Sequence, residues 1–252
     1  MEFQHLIYDR QEAVVRVILN RPKSLNAFNR ALLQEMKTAF QQISEDPTIK
    51  VVVLSGEGRA FSAGVDLKET DADGFQDGAT SMKLGRELSE LMTQLPQVTI
   101  AQVHGYCFTG ALEMMMFFDM AFCAESTQFG DTHAKWSVMP QWGMTQRLAR
   151  RVGLAKAKEL SFRAMRIKGP EAERIGLVNR AFPDDQLASE VDTIITEILQ
   201  NSFEAISVIK HLYDEGYAGT LRDGLELESN ADTRLSDTDA QLSQFQEKKF
   251  KG

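Results

Sequence analysis

The chain has 252 residues, of which 43% are hydrophobic and 25% charged, a balance that suits one soluble globular unit with at most a small appendage. Its net charge of −8 lacks the basic footprint that a nucleic-acid backbone demands, so no nucleic-acid partner is expected. The longest apolar run, MMMFFDMAFCA, is broken by Asp119 and falls short of the ~20 residues that cross a bilayer, so no membrane partner is expected either.

The opening stretch MEFQHLIYDRQ carries early charges and no apolar core of the kind a secretory signal needs. VVRVIL, from Val14 to Leu19, predicts a strand that NRP ends. Leu32, Leu33, Met36, Phe40 and Ile43 then follow helical spacing up to Asp46-Pro47. KVVVLSG, from Lys50 to Gly56, has the β-branched character of a buried parallel strand. After the glycine-rich GEGRAFSAGVDL, a second helical stripe runs through Leu84, Leu88, Leu91, Met92 and Leu95 and stops at Pro96. TIAQVHG predicts a strand, GALEMMMFF a buried helix and MAFCAES another strand. Strand and helix alternate, which predicts an α/β fold with parallel pairing. Cys107 and Cys123 both lie in apolar runs, so buried reduced thiols and a cytoplasmic location are expected.

Beyond Gln146 the strand signal fades. TQRLARRVG, LAKAKELSFRA, PEAERIGL and DQLASEVDTIITEILQ are helical in pattern, and from Phe203 onward the chain reads as three more helices with breaks near Gly216 and Ser236. The expected organisation is an α/β core over residues 1–196 and a helical region over residues 197–252.

Two chemistries are disfavoured by spacing. VVVLSGEGRAFSAG has no helix pattern between Gly58 and Gly64, so it fails as a dinucleotide fingerprint. None of the four histidines pairs at a metal-binding spacing, so no metal is expected. The glycines fit another role. Ala63 and Gly64 follow a strand with little side chain, and Gly110 opens a helix, where the dipole favours negative charge. Two backbone N–H groups from such loops can form an oxyanion hole; equally, both can be tight turns in the core. Glu113 stands on an otherwise apolar helix three residues after Gly110, where a carboxylate requires a partner or a function. His133, in FGDTHAKW, sits in a loop-like segment beside Asp131 and Thr132; from these residues alone it is either a loop-holding or a catalytic histidine.

Five blocks, LNRPKSLNAFN, VVVLSGEGRAFSAGVDLKE, GYCFTGALEMMMFFDMAFCAESTQFGD, TQRLARRVG and ERIGLVNRAFP, resemble the enoyl-CoA hydratase/isomerase (crotonase) superfamily from about Ala13 to Pro183. The resemblance implies an α/β spiral of ββα repeats, with C-terminal helices that build trimers, often paired into hexamers. It implies an acyl-CoA substrate and no separate cofactor, coenzyme A entering as part of the substrate. The thioester oxygen would lie between the N–H groups of Ala63 and Gly110, and Ala63, Gly64, Val65 and Asp66 would run along the coenzyme. Of the two glutamates that the superfamily's hydratases place around one water, the first falls on Glu113 and the second on His133. An imidazole accepts at one nitrogen and donates at the other, and its ordinary pKa of about 6.5 suits proton exchange near neutrality.

The chain departs from the superfamily's pattern in two further places. Phe108-Thr109-Gly110-Ala111-Leu112 replaces a run of glycines, and Trp142 stands in MPQWGMTQ where the superfamily is small. That tryptophan either shapes the acyl pocket or packs on a neighbouring subunit. The leading expectation is hydration of a 2-enoyl-CoA. The alternatives are a double-bond isomerase, a carbon–carbon hydrolase of a β-diketone, and a non-catalytic scaffold. The superfamily's diketone hydrolases support the histidine with an aspartate nine residues later. Here that residue is Trp142, which counts against the hydrolase. The intact Ala63, Gly110 and Glu113 set counts against the scaffold.

Overall fold

Val51, Val52, Val53 and Leu54 are four consecutive residues with no exposed face, the signature of a strand covered on both sides. The computed structural model, which describes residues 3–68, 81–231, 235–239 and 241–243, places them in the middle of a six-stranded sheet. Strands β1 (Leu6–Gln11) and β2 (Val14–Leu19) pair antiparallel. Strands β3 (Val51–Gly56), β4 (Val98–Val103), β6 (Met120–Ala124) and β9 (Arg180–Phe182) continue in parallel, giving the order β1-β2-β3-β4-β6-β9. A second sheet contains β5 (Tyr106–Phe108), β7 (Gln128–Gly130) and β8 (Arg166–Lys168) in the order β5-β7-β8. Single bridges from Phe28 to Val65 and from Ser62 to Cys107 carry this layer toward the loops after β2 and β3.

Alternation along β3 sorts the core. Val52 and Leu54 join the larger apolar cluster with α1 (Arg30–Glu45), α2 (Ser81–Thr93) and α3 (Gly110–Met115). Val51 and Val53 face the other way, toward Leu187, Val191 and Ile195 of α8 (Leu187–Leu199). Helix α1 follows its sequence signal closely: the Asn29 side chain caps the Leu32 N–H at 2.9 Å, and the predicted stripe is buried. Both cysteines are buried, unpaired thiols.

The second half holds α4 (His133–Trp136), α5 (Met144–Val152), α6 (Leu154–Arg163), α7 (Gly169–Arg174), α9 (Phe203–Ala218) and α10 (Leu221–Asn230). Three findings differ from the sequence reading. Strands β8 and β9 interrupt the helical run; at three residues each they are too short to show a period. FGDTHAKW ends in the single helical turn α4 rather than a loop. Gly216 lies inside α9, and the chain turns at Gly219–Thr220 instead, where Thr220 and Asp223 form a capping box. Gly216 faces the Gly224 backbone of α10, to which a Cβ would stand at an ordinary contact distance of 3.4 Å. The break expected near Ser236 and the helix after it fall largely outside the described residues. Among the described residues, no helix is long and apolar enough to cross a membrane.

Asn26 fixes the loop after β2. It is fully buried with φ 53°, its Oδ1 accepts the Arg21 N–H at 2.8 Å, and its Nδ2 donates to the carbonyls of Glu57 at 2.9 Å and Ala60 at 2.8 Å. Asn26→Ala is therefore expected to lower stability by about 2–4 kcal/mol, because buried backbone groups lose their partners. Urea unfolding measures this, and a loss below about 1 kcal/mol would show that the loop holds without the amide.

Candidate active site

Helix α3 begins at a strained turn. Thr109 sits at φ 52° and ψ −110°, outside the comfortable range of a residue with a Cβ. Its N–H donates to the Gly130 carbonyl at 2.9 Å, and its hydroxyl pairs with that of Thr132 at 2.5 Å. The turn brings Gly110 against the loop after β3. A Cβ on Gly110 would lie 3.2 Å from the Val65 side chain, and one on Gly64, at φ 95°, would lie 2.7 Å from the Phe108 carbonyl. Glycine is required at Gly64, where two backbones meet at positive φ, while at Gly110 a Cβ would crowd the Val65 and Trp142 side chains.

The close approach decides which N–H groups are available. The Ala63 N–H, expected in the oxyanion hole, already donates to the Leu25 carbonyl at 3.0 Å. The N–H groups of Val65 and Gly110 have no protein acceptor among the described residues. They lie close together, since a Cβ on Gly110 would be 3.5 Å from the Val65 nitrogen. Ala63 instead lines the cavity, together with Val65, Thr109, Glu113, His133 and Trp142. Asp66, expected along the coenzyme, is buried and tied into its own loop. Its carboxylate meets Arg21 Nη1 at 3.1 Å and accepts the Lys68 N–H at 3.2 Å. Gly64 accepts the Phe28 N–H on its carbonyl at 2.8 Å.

Glu113 is 2% exposed. Its Oε1 accepts the N–H of Trp142 at 2.8 Å and of Met144 at 3.0 Å, and its Oε2 faces His133 Nε2 at 3.5 Å. No lysine or arginine among the described residues pairs with it. His133 is 7% exposed and its other nitrogen, Nδ1, bonds Asp131 Oδ1 at 2.6 Å. The same oxygen accepts the His133 backbone N–H at 3.2 Å, while Asp131 Oδ2 accepts the Ser161 hydroxyl from α6 at 2.5 Å. The half-buried Ser161 and the buried Asp131, His133 and Glu113 thus form one chain of polar groups.

Burial opposes charge on the His133 ring, but the hydrogen bonds to Asp131 and Glu113 and their negative charges outweigh it and hold its pKa at about 9. Burial likewise opposes ionisation of Asp131, and the bonds from His133 and Ser161 overcome it, so its pKa lies below the usual carboxylate range. The ring is therefore an imidazolium at neutral pH, with both nitrogens donating, rather than the neutral imidazole expected from its ordinary pKa. The carboxylate that Trp142 does not supply to this histidine comes from Asp131, two residues before it. A carboxylate at that spacing can grip backbone and ring together, and this local signal is what marks Asp131. Ser161, 30 residues away, leaves no such trace.

Trp142 packs inside its own chain. It is 2% exposed, its ring lies 6.0 Å from that of Phe28, and its Nε1 donates to the Met82 carbonyl at 3.2 Å. The cavity that it borders with Glu113 and His133 holds about 80 Å³. Among the described residues no cluster of histidine, cysteine and carboxylate side chains could hold a metal ion.

Comparison with known proteins identifies the family and the fold. The sequence model described as enoyl-CoA hydratase/isomerase matches residues 9–251, and the chain belongs to that family. Among individual relatives, it is 33% identical to the short-chain-enoyl-CoA hydratase of Clostridium acetobutylicum over 92% of this chain and 89% of that one. It is also 33% identical to a probable enoyl-CoA hydratase of Mycobacterium tuberculosis over 89% of this chain and 87% of the relative. The crystal structure of an enoyl-CoA hydratase from Bacillus anthracis superposes with a TM-score of 0.93 at 33% identity, covering 97% of both chains. The crotonase fold expected from the sequence is thereby established.

The raised His133 pKa makes a stability prediction. A group whose pKa rises on folding contributes fully below its unfolded value, about 6.5, and loses that contribution as pH climbs through the folded value. Stability should fall between about pH 6.5 and pH 9 by on the order of 2–3 kcal/mol. Asp131→Asn removes the main cause and should flatten this slope. Urea midpoints at both ends of the window read the difference, and equal slopes in the two proteins would remove Asp131 as its source.

Proposed function

We propose that this protein hydrates a 2-enoyl-CoA, with Glu113 as base and His133 as acid. One observation carries the reading: the Glu113 carboxyl and the His133 ring face each other across 3.5 Å in a small cavity beside two backbone N–H groups with no protein acceptor among the described residues. The thioester oxygen binds the N–H groups of Val65 and Gly110, which take the negative charge of the enolate. Glu113 removes a proton from water as its oxygen attacks Cβ. His133 gives the proton on Nε2 to Cα. Hydroxyl and hydrogen have then been added across the double bond, leaving Glu113 protonated and His133 neutral. Return of the proton from Glu113 to His133 restores the starting state. His133 enters as the acid because Asp131 and Glu113 raise its pKa to about 9. The reaction needs no cofactor beyond the coenzyme A of its substrate.

An isomerase requires one group to move a proton between two carbons, and the separate acid and base favour hydration over it. The His133–Asp131 pair supports a second reading, carbon–carbon hydrolysis of a β-diketone, because it lifts the objection that the histidine lacks a carboxylate partner. Incubation with crotonyl-CoA separates the readings: hydration bleaches the enoyl-thioester absorbance, whereas isomerisation or diketone hydrolysis leaves it. The buried, unpaired thiols support a reducing, cytoplasmic setting.

The C-terminal helices support assembly into trimers or hexamers. Helices α9 and α10 bury no residue fully, and Tyr213, Tyr217, Leu221 and Leu225 are all more than half exposed. Apolar side chains gathered on packed helices call for a covering surface. Light scattering at micromolar concentration should give three or six times the chain mass; a monomer would contradict the assembly.

Glu113→Gln and His133→Ala should each lower the rate of crotonyl-CoA hydration by ~10²–10⁴-fold. His133→Glu should keep part of the rate, since it restores a proton-transfer group without the fixed positive charge. Turnover per folded molecule, with the urea midpoint measured alongside, checks this. Normal turnover with a lowered midpoint would return His133 to a structural role.

A further inference from the structure

The indole of Trp142 packs against two glycines. A Cβ on Gly85 of α2 would fall 2.0 Å from Trp142 Cε2, and one on Gly110 would fall 3.1 Å from Cζ3. The ring therefore occupies the gap between α2 and α3, and no side chain larger than glycine fits beneath it on α2. Its Nε1 bond to the Met82 carbonyl and its backbone bond to Glu113 leave it little freedom to swing away. Trp142 borders the small cavity on one side. On the other it borders a cleft of about 680 Å³ lined by Arg86, Glu90, Arg147, Arg150 and Tyr217. Gln141 and Trp142 line both spaces, so Trp142 stands where the two meet.

The size of the inner cavity gives that position a consequence. A protein cavity of roughly 150 Å³ accommodates benzene, six carbons. The cavity here, about 80 Å³, is therefore matched to roughly three or four carbons. With the thioester carbonyl on Val65 and Gly110 and the double bond between Glu113 and His133, a four-carbon acyl group fills that space. Additional carbons meet a ring that is packed on backbone.

We propose that Trp142 determines acyl-chain length, holding the substrate to short, about four-carbon, enoyl thioesters by closing the passage from the catalytic cavity to the outer cleft. The inference rests on the acyl-CoA reading above and deepens it by naming the substrate class. A wall rejects by exclusion, so it discriminates more sharply than a pocket that merely lacks contacts for one methylene.

The experiment measures kcat/KM for trans-2-enoyl-CoAs of four, six and ten carbons in the wild-type protein, in Trp142→Ala and in Trp142→Leu, the milder change should the first not fold. The wild type should prefer four carbons over ten by at least ~100-fold, and opening the wall should narrow that ratio by at least ~10-fold whatever happens to the absolute rate. Calorimetry with butyryl-, hexanoyl- and decanoyl-CoA asks the same question without turnover. A steep loss of affinity beyond butyryl, relieved in the variants, would uphold the wall even if no enoyl-CoA were hydrated, in which case only the hydratase reading would fall. A third measurement leaves Trp142 intact. In Trp136→Phe it is the sole tryptophan, and 4-bromobutyryl-CoA should quench its emission more strongly than butyryl-CoA if the chain tip abuts the ring. Equal wild-type use of four and ten carbons, an unchanged ratio in a folded Trp142 variant, or absence of heavy-atom quenching would each overturn the proposal.

Discussion

A buried carboxylate must find partners, and the way Glu113 finds them organises the site. Removing an ionised carboxyl from water costs several kcal/mol unless hydrogen bonds and an opposite charge replace the solvent. Glu113 takes two backbone N–H groups, from Trp142 and Met144, and faces the His133 ring. Those two N–H groups belong to the segment that leads into α5, so one side chain on α3 anchors a loop that no strand holds. The loop carries Trp142, whose ring then packs on Gly85 and Gly110. The contact with His133 and the shape of the cavity thus hang on the two oxygens of one carboxyl group.

Exchanging a carboxylate for an imidazole changes the electrostatics as well as the side chain. Two carboxylates close together must share a proton, because both cannot be charged at short range. A histidine between Glu113 and Asp131 removes that conflict, since the ring carries the proton and both neighbours gain from its charge. Asp131 reinforces the arrangement by gripping the histidine through its ring and its backbone N–H, with Ser161 closing the far side. The ring thus lies between two carboxyl groups, with Asp131 on Nδ1 and Glu113 facing Nε2.

Close backbone approach is the other recurring device. Gly64 and Gly110 let two loops meet, and this contact leaves the Val65 and Gly110 N–H groups near one another while the Ala63 N–H turns to Leu25. Strain at Thr109 is the local counterpart, held by bonds to Gly130 and Thr132 rather than by any preference of threonine itself. The pairing of these two N–H groups is therefore a product of packing between loops that are distant in sequence.

By itself the sequence determined the α/β alternation, the α1 stripe from Leu32 to Ile43, the buried run Val51 to Leu54, and Glu113 as a carboxylate without water. Each is a local matter of periodicity or of charge in an apolar run, and local patterns survive folding unchanged. It also carried the family, through blocks whose order needs no coordinates. What lay beyond it were relations that folding makes: which of three neighbouring N–H groups Leu25 would occupy, that Trp142 would turn inward onto Gly85, that Asp131 and Glu113 together would raise the His133 pKa, and that Asp66 would serve Arg21. These depend on distances and burial, and only the tertiary structure decides those, because a hydrogen-bond donor is used once and the fold chooses its acceptor.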